Sequence, residues 1–151
     1  NYLKGDPGNI LDENGKIIGS HPGLVFFTLG QRQGLGIGGV KGASDLPWYV
    51  AKKDLETNEL ICVQGNDHPL LFSRKLKTKN VYLLDDQLPE EFSGTAKVRY
   101  RQKDQDCKIS IFDSELNIEF AEPQRSVTPG QSVVIYDGNK CLGGGEIECI
   151  N

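Results

Sequence analysis

The sequence of 151 residues contains no methionine, two histidines and one tryptophan. No apolar run approaches the ~18 residues that a membrane-spanning helix needs, so no segment is expected to cross a membrane. The first residues are polar and lack the apolar core of a secretory signal peptide. Because an initiator methionine is also missing, we expect the chain to be part of a longer protein.

The cysteines form no C-x-x-C pair, and their spacing fits no zinc module even when the two histidines, His21 and His68, are included. The four cysteines are Cys62, Cys107, Cys141 and Cys149. Cys62 and Cys107 lie in apolar, strand-like segments, which favours buried reduced thiols over disulfides or over a catalytic or metal role. We therefore predict no metal site, and reduced thiols favour a cytoplasmic location.

No catalytic constellation stands out in the sequence. The phosphate-binding pattern G-x-x-x-x-G-K-[ST] is absent, and neither histidine has a recognisable serine or cysteine partner. His68 precedes Pro69 in a predicted loop and is expected to be solvated. His21 is expected to cap a helix or to make a local hydrogen bond.

A glycine-rich loop runs through Phe26–Gly39, which reads FFTLGQRQGLGIGG and contains G-x-G-x-x-G from Gly34 onward. In a dinucleotide fold, a helix opens directly after these glycines and holds the pyrophosphate. Here Val40–Pro47 contains a glycine, a Ser-Asp pair and a proline, which leave no room for that helix. The motif therefore does not predict nucleotide binding. It is either a tight structural loop or a loop that approaches a phosphate backbone, with Gln31 and Arg32 as donors.

The N-terminal half predicts two hairpins. Asn14-Gly15 separates two short apolar runs, a strong hairpin signal, and a second hairpin is expected from Pro47–Lys53 and Glu59–Gln64. Between them, serine at a possible N-cap, proline in the first turn and Gly34 beyond the end favour a helix from about His21 to Gln33. A buried strand through residues 25–28 is the alternative.

The C-terminal half reads as all β. Residues 74–79 form a basic connection, after which the sequence pattern becomes all β. We therefore predict a domain boundary near 78, with domains 1–78 and 79–151. The expected strands are Asn80–Leu84, Gly94–Lys103, Cys107–Phe112, Asn117–Ala121, Gln131–Tyr136 and Leu142–Ile150. Six short strands suggest a closed barrel, which removes exposed edges. The predicted fold is mainly β: a small β-rich central domain with one short helix, then a six-stranded barrel.

The net charge of −4 is unevenly distributed. Residues 74–108 hold nine basic and six acidic side chains, net +3. Alternation in Thr95–Lys103 predicts a strand with four cations on one face: Lys97, Arg99, Arg101 and Lys103. This face is either solvated, with acids such as Glu119 and Glu122 beside it, or a stripe that follows a nucleic-acid backbone. Tyr100 would point inward unless the strand is distorted there.

Several segments carry a family resemblance. They are His21-x-Gly23, Thr28-x-Gly30-Gln31-Arg32-x-Gly34-Leu35-Gly36-Ile37, Trp48-Tyr49-Val50, Val98-Arg99-Tyr100-Arg101-Gln102, Thr128-Pro129-Gly130-Gln131-Ser132-Val133-Val134-x-Tyr136 and Cys141-Leu142-Gly143-Gly144-Gly145-x-Ile147. In this order they closely resemble the bacterial tRNA-specific 2-thiouridylases over essentially the whole chain. The resemblance implies a central domain followed by a C-terminal barrel like that of translation factors.

The resemblance also implies an activity. Members of this family use ATP, with magnesium, and a persulfide sulfur donor to thiolate the wobble uridine of tRNAs for Lys, Glu and Gln. Their ATP-pyrophosphatase domain, with its S-G-G-x-D-S loop and catalytic cysteines, has no counterpart in this sequence. The chain alone is therefore expected to be inactive and to need no cofactor, while the full-length enzyme also meets a sulfur-carrier protein.

The family's barrel contacts tRNA through an Arg-Tyr pair and the glutamine of a Pro-Gly-Gln turn. By motif these are Arg99, Tyr100 and Gln131, and Tyr100 requires a local distortion of the predicted strand. A weaker hypothesis assigns four further residues to the RNA surface or to a domain interface: Gln31, Arg32, Lys97 and Arg101. The alternative function is a scaffold that docks the catalytic domain or a sulfur-carrier protein.

Overall fold

The computed structural model describes residues 5–150, apart from the side chain of Cys149. The chain divides into two compact units between Leu71 and Phe72. The boundary expected near residue 78 falls inside a strand that runs from Phe72 to Leu83. The basic segment 74–79 therefore belongs to the second unit as part of this strand and is not a connection.

The first unit contains a four-stranded sheet. Its strands are β1 (Gly8–Leu11), β2 (Ile17–His21), β3 (Trp48–Asp54) and β4 (Glu59–Gln64). They lie in the order β2-β1-β4-β3, and β1 is antiparallel to β2 but parallel to β4. Both predicted hairpins are confirmed. In the first, the Asp12 carboxylate accepts the amides of Asn14 and Lys16, each at 2.9 Å, and Gly15 takes a φ of 83°.

The helix expected from His21 to Gln33 is wrong. The described part of this segment holds only a 3-10 turn, Leu24–Phe26. Beyond it the backbone bonds to β3: Gly30 N donates to Val50 O at 2.8 Å, and Val50 N donates to Gln31 O at 2.9 Å. The alternative of a buried strand is also wrong, because Val25 and Phe26 are 50% and 65% exposed. Pairing with β3 outweighs the local helix signals.

The glycine loop follows this segment. Gly34 and Gly36 adopt positive φ angles of 76° and 66°, which glycine tolerates without strain. No helix or strand occurs between residue 37 and the start of β3, so no helix opens after the glycines as it does in a dinucleotide site. Leu35 is buried in the core of the unit. This core consists of Ile10, Leu24, Phe27, Leu35, Val50, Leu60 and Cys62.

The two histidines both lie in the first unit. His21 is buried, and its Nε2 lies 2.9 Å from the backbone oxygen of Asn58, 37 residues along the chain, so the expected helix cap or local hydrogen bond is wrong. The amide of Asn58 in turn donates to the backbone oxygens of Asp6 and Pro7. The prediction that His68 is solvated is wrong, since its side chain is largely covered and pairs with Glu13 at 3.0 Å.

The second unit is a closed six-stranded barrel, which confirms the predicted architecture. The strands are β5 (Phe72–Leu83), β6 (Glu91–Lys97), β7 (Gln105–Phe112), β8 (Glu115–Arg125), β9 (Ser132–Asp137) and β10 (Lys140–Ile150), in the order β10-β5-β8-β7-β6-β9. Alternate side chains fill the interior, among them Ile109, Ile118, Phe120 and Ile135. The mainly β fold class is confirmed, and the one expected helix is replaced by a single 3-10 turn, Leu24–Phe26.

The prediction that the cysteines are buried, reduced thiols is confirmed for two of them. Cys62 and Cys107 are free and buried. Burial raises the pKa of each thiol to about 12, and for Cys107 the nearby Asp106 carboxylate adds to the rise in pKa. Cys141 is free and half-buried. The side chain of Cys149 lies outside the described residues.

Because two thiols are buried, we predict that the folded protein loses stability at alkaline pH. Their folded-state pKa values lie above the ordinary value of 9.0, so the unfolded chain loses these protons first as the pH rises. The contribution is fully present below about pH 9 and falls toward pH 12, by up to about 1 kcal/mol per pH unit for each thiol. Urea unfolding from about pH 8 to 11 should show a shallower decline for Cys62→Ala and Cys107→Ala than for wild type. Identical slopes would contradict this.

Candidate nucleic-acid interface

Two loops leave the barrel at the same end. They are residues 98–104, between β6 and β7, and residues 126–131, between β8 and β9. Strand pairing places them together, because Ala96 faces Gln105 and Lys97 faces Val134. We call this the Tyr100 end. The opposite end carries the loops at residues 84–90, 113–114 and 138–139.

The strand expected to run through Lys103 ends at Lys97. The backbone turns at residues 99–102, where Gln102 N donates to Arg99 O at 3.2 Å. The amide of Val98 is bound by the side-chain oxygen of Gln102, at 3.0 Å, instead of by a neighbouring strand. The predicted face of four cations on one strand is therefore wrong, since only Lys97 lies in β6.

Tyr100 occupies the corner of this turn. Its side chain is 94% exposed, so the expected distortion is confirmed and the inward orientation of a regular strand is avoided. An aromatic ring that packs against almost nothing contributes little to folding. It is instead available for stacking on a base, or for offering its hydroxyl to a ligand.

Arg99 ties the two loops together. Its Nη2 donates to the backbone oxygen of Arg125 at 2.6 Å and to that of Ser126 at 3.2 Å. Ser126 has a φ of 53°, and its oxygen also accepts the hydroxyl of Thr128 at 2.8 Å. A guanidinium group has five N–H donors in all. Arg99 therefore holds the loops together and keeps donors for a ligand.

Gln131 follows a type II turn, as expected for Thr128-Pro129-Gly130. Its amide donates to Thr128 O at 3.2 Å, and Gly130 takes a φ of 91°. Ile147 on β10 bonds to both sides of this position: its N donates to Gln131 O and its O accepts Gly130 N, each at 2.8 Å. The exposed side-chain amide of Gln131 makes no hydrogen bond with residues 5–150. Its backbone is fixed while its side chain is available.

Lys97 and Arg101 differ in their surroundings. Lys97 pairs with Asp104 at 3.2 Å and lies 5.4 Å from the centre of the Tyr136 ring. Its acidic partner thus lies in the loop that follows β6, and is neither Glu119 nor Glu122. Arg101 is exposed and has no ion pair among the described residues. Of the two, Arg101 is the cation available to a phosphate.

Gln31 and Arg32 belong to the first unit. The side-chain oxygen of Gln31 accepts Thr28 N at 3.0 Å, and its amide donates to Gln33 O at 2.9 Å. Both polar atoms of this side chain are thus used to close its own loop. Arg32 is exposed. An interface role for these two residues stays a prediction.

Two glutamines at the Tyr100 end were not predicted from the sequence as part of the site. Gln102 was noted only as part of a family motif, and Gln124 was not considered. The side chains of these two residues meet at 2.6 Å. A glutamine three residues after Arg99, at the closing position of a four-residue turn, is the one local signal, and nothing in the sequence marks Gln124.

Two other classes of site are not found in the described part of the chain. Among residues 5–150, no three His, Cys, Asp or Glu side chains come together in a way that could hold a metal ion. In the same part of the chain, no helix is long and apolar enough to cross a membrane.

Comparisons with known proteins match both units. A family model described as tRNA methyl transferase PRC-barrel domain matches residues 1–64. A second model, described as aminomethyltransferase β-barrel domain, matches residues 73–147. The break between the two matches brackets the division of the chain at Leu71.

Individual relatives agree with these models. The chain is 58% identical over 151 residues to the tRNA-specific 2-thiouridylase MnmA of Alcanivorax borkumensis, covering 97% of this chain and 41% of that relative. It is 56% identical to the protein of the same name from Pseudomonas fluorescens, with 97% and 40% covered, and 54% identical to that of Francisella tularensis, with 97% and 41% covered. The chain thus spans about two fifths of the length of these curated relatives. It belongs to the tRNA-specific 2-thiouridylase family and comprises the PRC-barrel and β-barrel portion of its members.

Proposed function

We propose that this chain is the tRNA-binding portion of an ATP-dependent enzyme that thiolates the wobble uridine of tRNA. In this proposal the Tyr100 end of the barrel holds the tRNA, and a catalytic ATP-pyrophosphatase domain outside the chain carries out the reaction. The relatives' names give tRNA as their substrate. The observation that carries the proposal is the placement of exposed Tyr100 and unpaired Arg101 beside the Gln131 turn.

Each group at this end has a chemistry that suits RNA. An exposed tyrosine ring can stack on an unpaired base, a free guanidinium can meet a phosphate, and a free amide can bind a phosphate or a ribose hydroxyl. Ion pairing removes Lys97 from this set. The partners are tRNAs for Lys, Glu and Gln, together with a sulfur-carrier protein. ATP, magnesium and the persulfide donor bind elsewhere in the enzyme, which we place in the cytoplasm.

The test is a titration of a tRNA-Glu transcript with the natural full-length protein. We expect Tyr100→Ala to weaken binding about tenfold or more without lowering the melting temperature, since stacking of a base contributes about 1–3 kcal/mol. Gln131→Ala and Arg99→Ala should also weaken binding. Arg101→Ala should reduce the slope of log affinity against log salt by roughly one phosphate contact.

Phe112→Ala is the matched control. Phe112 is also a highly exposed aromatic side chain, 73% exposed, but it lies at the opposite end of the barrel, beside the turn at residues 113–114. Its replacement should leave tRNA affinity unchanged. Unchanged affinity in all four Tyr100-end variants would remove the site assignment and favour the scaffold function, in which the chain docks a catalytic domain or a sulfur-carrier protein.

A further inference from the structure

Three glutamine side chains lie behind the exposed turn at the Tyr100 end. They are Gln102, Gln105 and Gln124, and we call them the glutamine cluster. We propose that the glutamine cluster positions Tyr100 for RNA by holding the 98–104 loop in its bound shape before the RNA arrives. This inference rests on the proposed function and assigns a positioning role to residues that do not themselves face the ligand.

The cluster forms a one-way chain of hydrogen bonds. It starts at the amide of Val98, which donates to Gln102 Oε1 at 3.0 Å. Gln102 Nε2 donates to Gln124 Oε1 at 2.6 Å, and Gln124 Nε2 donates to Gln105 Oε1 at 3.2 Å. Gln105 Nε2 then donates to the backbone oxygen of Lys103 at 3.0 Å. Both ends of the loop are thus bound by one chain of side chains.

The direction of this chain is fixed at two points. Val98 N can only donate, so it requires the oxygen of Gln102. The backbone oxygen of Glu122 can only accept, and it lies 2.9 Å from Gln124 Nε2. With these two contacts set, and with Lys103 O also able only to accept, reversing any one amide would place two donors or two acceptors against each other. The three amides therefore have a single satisfied arrangement, and in that arrangement they bind the backbone near both ends of the loop.

Gln124 is the centre of the cluster and is only 4% exposed. A buried amide is costly unless all its donors and acceptors are bound, and an apolar side chain of similar size serves packing equally well. Here both N–H groups and the oxygen of Gln124 have partners. A fully satisfied network makes its surroundings rigid and specifies one geometry, which is what a loop bearing an unsupported side chain requires.

Tyr100 needs such support because almost nothing in the described part of the chain packs on it. At 94% exposure, its ring receives too little packing to hold the turn in place. Besides the cluster, the 98–104 loop is held by one backbone bond in its turn, at 3.2 Å, by the guanidinium of Arg99, and at its end by Asp104, which contacts Lys97 and Thr95. Ordering a flexible loop on binding would weaken affinity, so a loop that is ordered beforehand binds more tightly.

Gln124→Met tests the proposal, because it keeps the size of the side chain and removes the central amide. In the natural full-length protein we expect about tenfold weaker binding of a tRNA-Glu transcript. We also expect hydrogen exchange of the Val98 amide to be about tenfold faster. In a Tyr100→Ala background, Gln124→Met should cause a much smaller further loss of affinity, because only the phosphate contact of Arg101 is left on the loop to position.

Leu116→Ala controls for a general loss of stability. Leu116 is fully buried in the barrel core near the opposite end and lies outside the glutamine cluster. Its loss should lower the melting temperature at least as much as Gln124→Met and leave tRNA affinity unchanged. Equal affinity losses in the two variants would overturn the positioning role.

The remaining outcomes separate the inference from the proposed function. Wild-type affinity and wild-type Val98 exchange in Gln124→Met would overturn the inference alone. A full additional loss in the Tyr100→Ala background would also overturn it, since Gln124 would then act independently of Tyr100. If Tyr100→Ala itself binds the transcript like wild type, the proposed site fails, and the positioning role falls with it whatever the exchange rate of Val98.

Discussion

Gly144→Ala should lower the free energy of unfolding of the barrel by about 3 kcal/mol or prevent its folding altogether. A Cβ at this position would overlap the backbone oxygen of Val133 and would lie 3.2 Å from the Cα of Val134. Gly144 lies in β10 opposite Val134 on β9 and Tyr82 on β5. The obstacle is backbone, so relief requires the paired strands of a closed barrel to separate.

Gly38→Ala is the matched control for this substitution. No atom lies within 4 Å of a Cβ added at Gly38, and its φ is outside the left-handed region. We expect a change within about 0.5 kcal/mol, since alanine also restricts the unfolded chain. Urea unfolding followed by circular dichroism measures both variants. Wild-type midpoints for Gly144→Ala would show that the ladder between β9 and β10 can open locally without cost.

Phe120→Ala should lower the free energy of unfolding by about 3–5 kcal/mol. Phe120 is 2% exposed on β8, opposite Cys107, and is among the largest fully buried side chains in the barrel. Removing its ring takes apolar contacts from the core and leaves a cavity that a closed sheet cannot collapse to fill.

The comparison variant is Phe112→Ala, which deletes the same ring from the neighbouring strand β7. Phe112 is 73% exposed, so its loss should cost less than about 1 kcal/mol. Thermal and urea unfolding of the two variants under one set of conditions gives the difference directly. A Phe120→Ala protein no less stable than Phe112→Ala would mean that the barrel interior repacks around the missing ring.

The barrel was the part of the fold most accessible from sequence. Strands such as β7 and β8 alternate apolar and polar residues, and turns such as Thr128–Gln131 follow them with proline and glycine. These signals are local and agree with the final fold. Residues 74–79 of β5 were not predicted as strand, because they are mostly basic and a strand with one face in water tolerates such a composition.

The errors arose where distant residues decide the local structure. Residues 21–33 are flanked by signals for the start and the end of a helix, yet Gly30 and Gln31 form backbone hydrogen bonds with Val50 on β3. In residues 95–103 the alternation of basic and other residues continues through Lys103. The strand nevertheless ends at Lys97, because the side chain of Gln102 accepts the amide of Val98. Period-two alternation continues through a turn as readily as through a strand, so it cannot show where the strand stops.

The candidate site was accessible only through its motifs. Tyr100 was assigned by resemblance against the alternation of its own strand, and its exposure in a turn agrees with the distortion that this assignment required. Its support by Gln124 could not be predicted, because 24 residues of ordinary barrel sequence separate the two. Which glutamine of several lies behind a loop depends on strand register, and register is set by the closed sheet.

The bonds from Ile147 to the Gln131 turn have a consequence for the order of events during folding. Ile147 faces Thr78 on β5, so the strand that fixes this turn is also the strand that closes the barrel. Pairing between positions so far apart along the chain is slow compared with hairpin formation. The Gln131 turn should therefore reach its final geometry only at the last step of refolding. Affinity for RNA would then appear with barrel closure, after most of the secondary structure has formed.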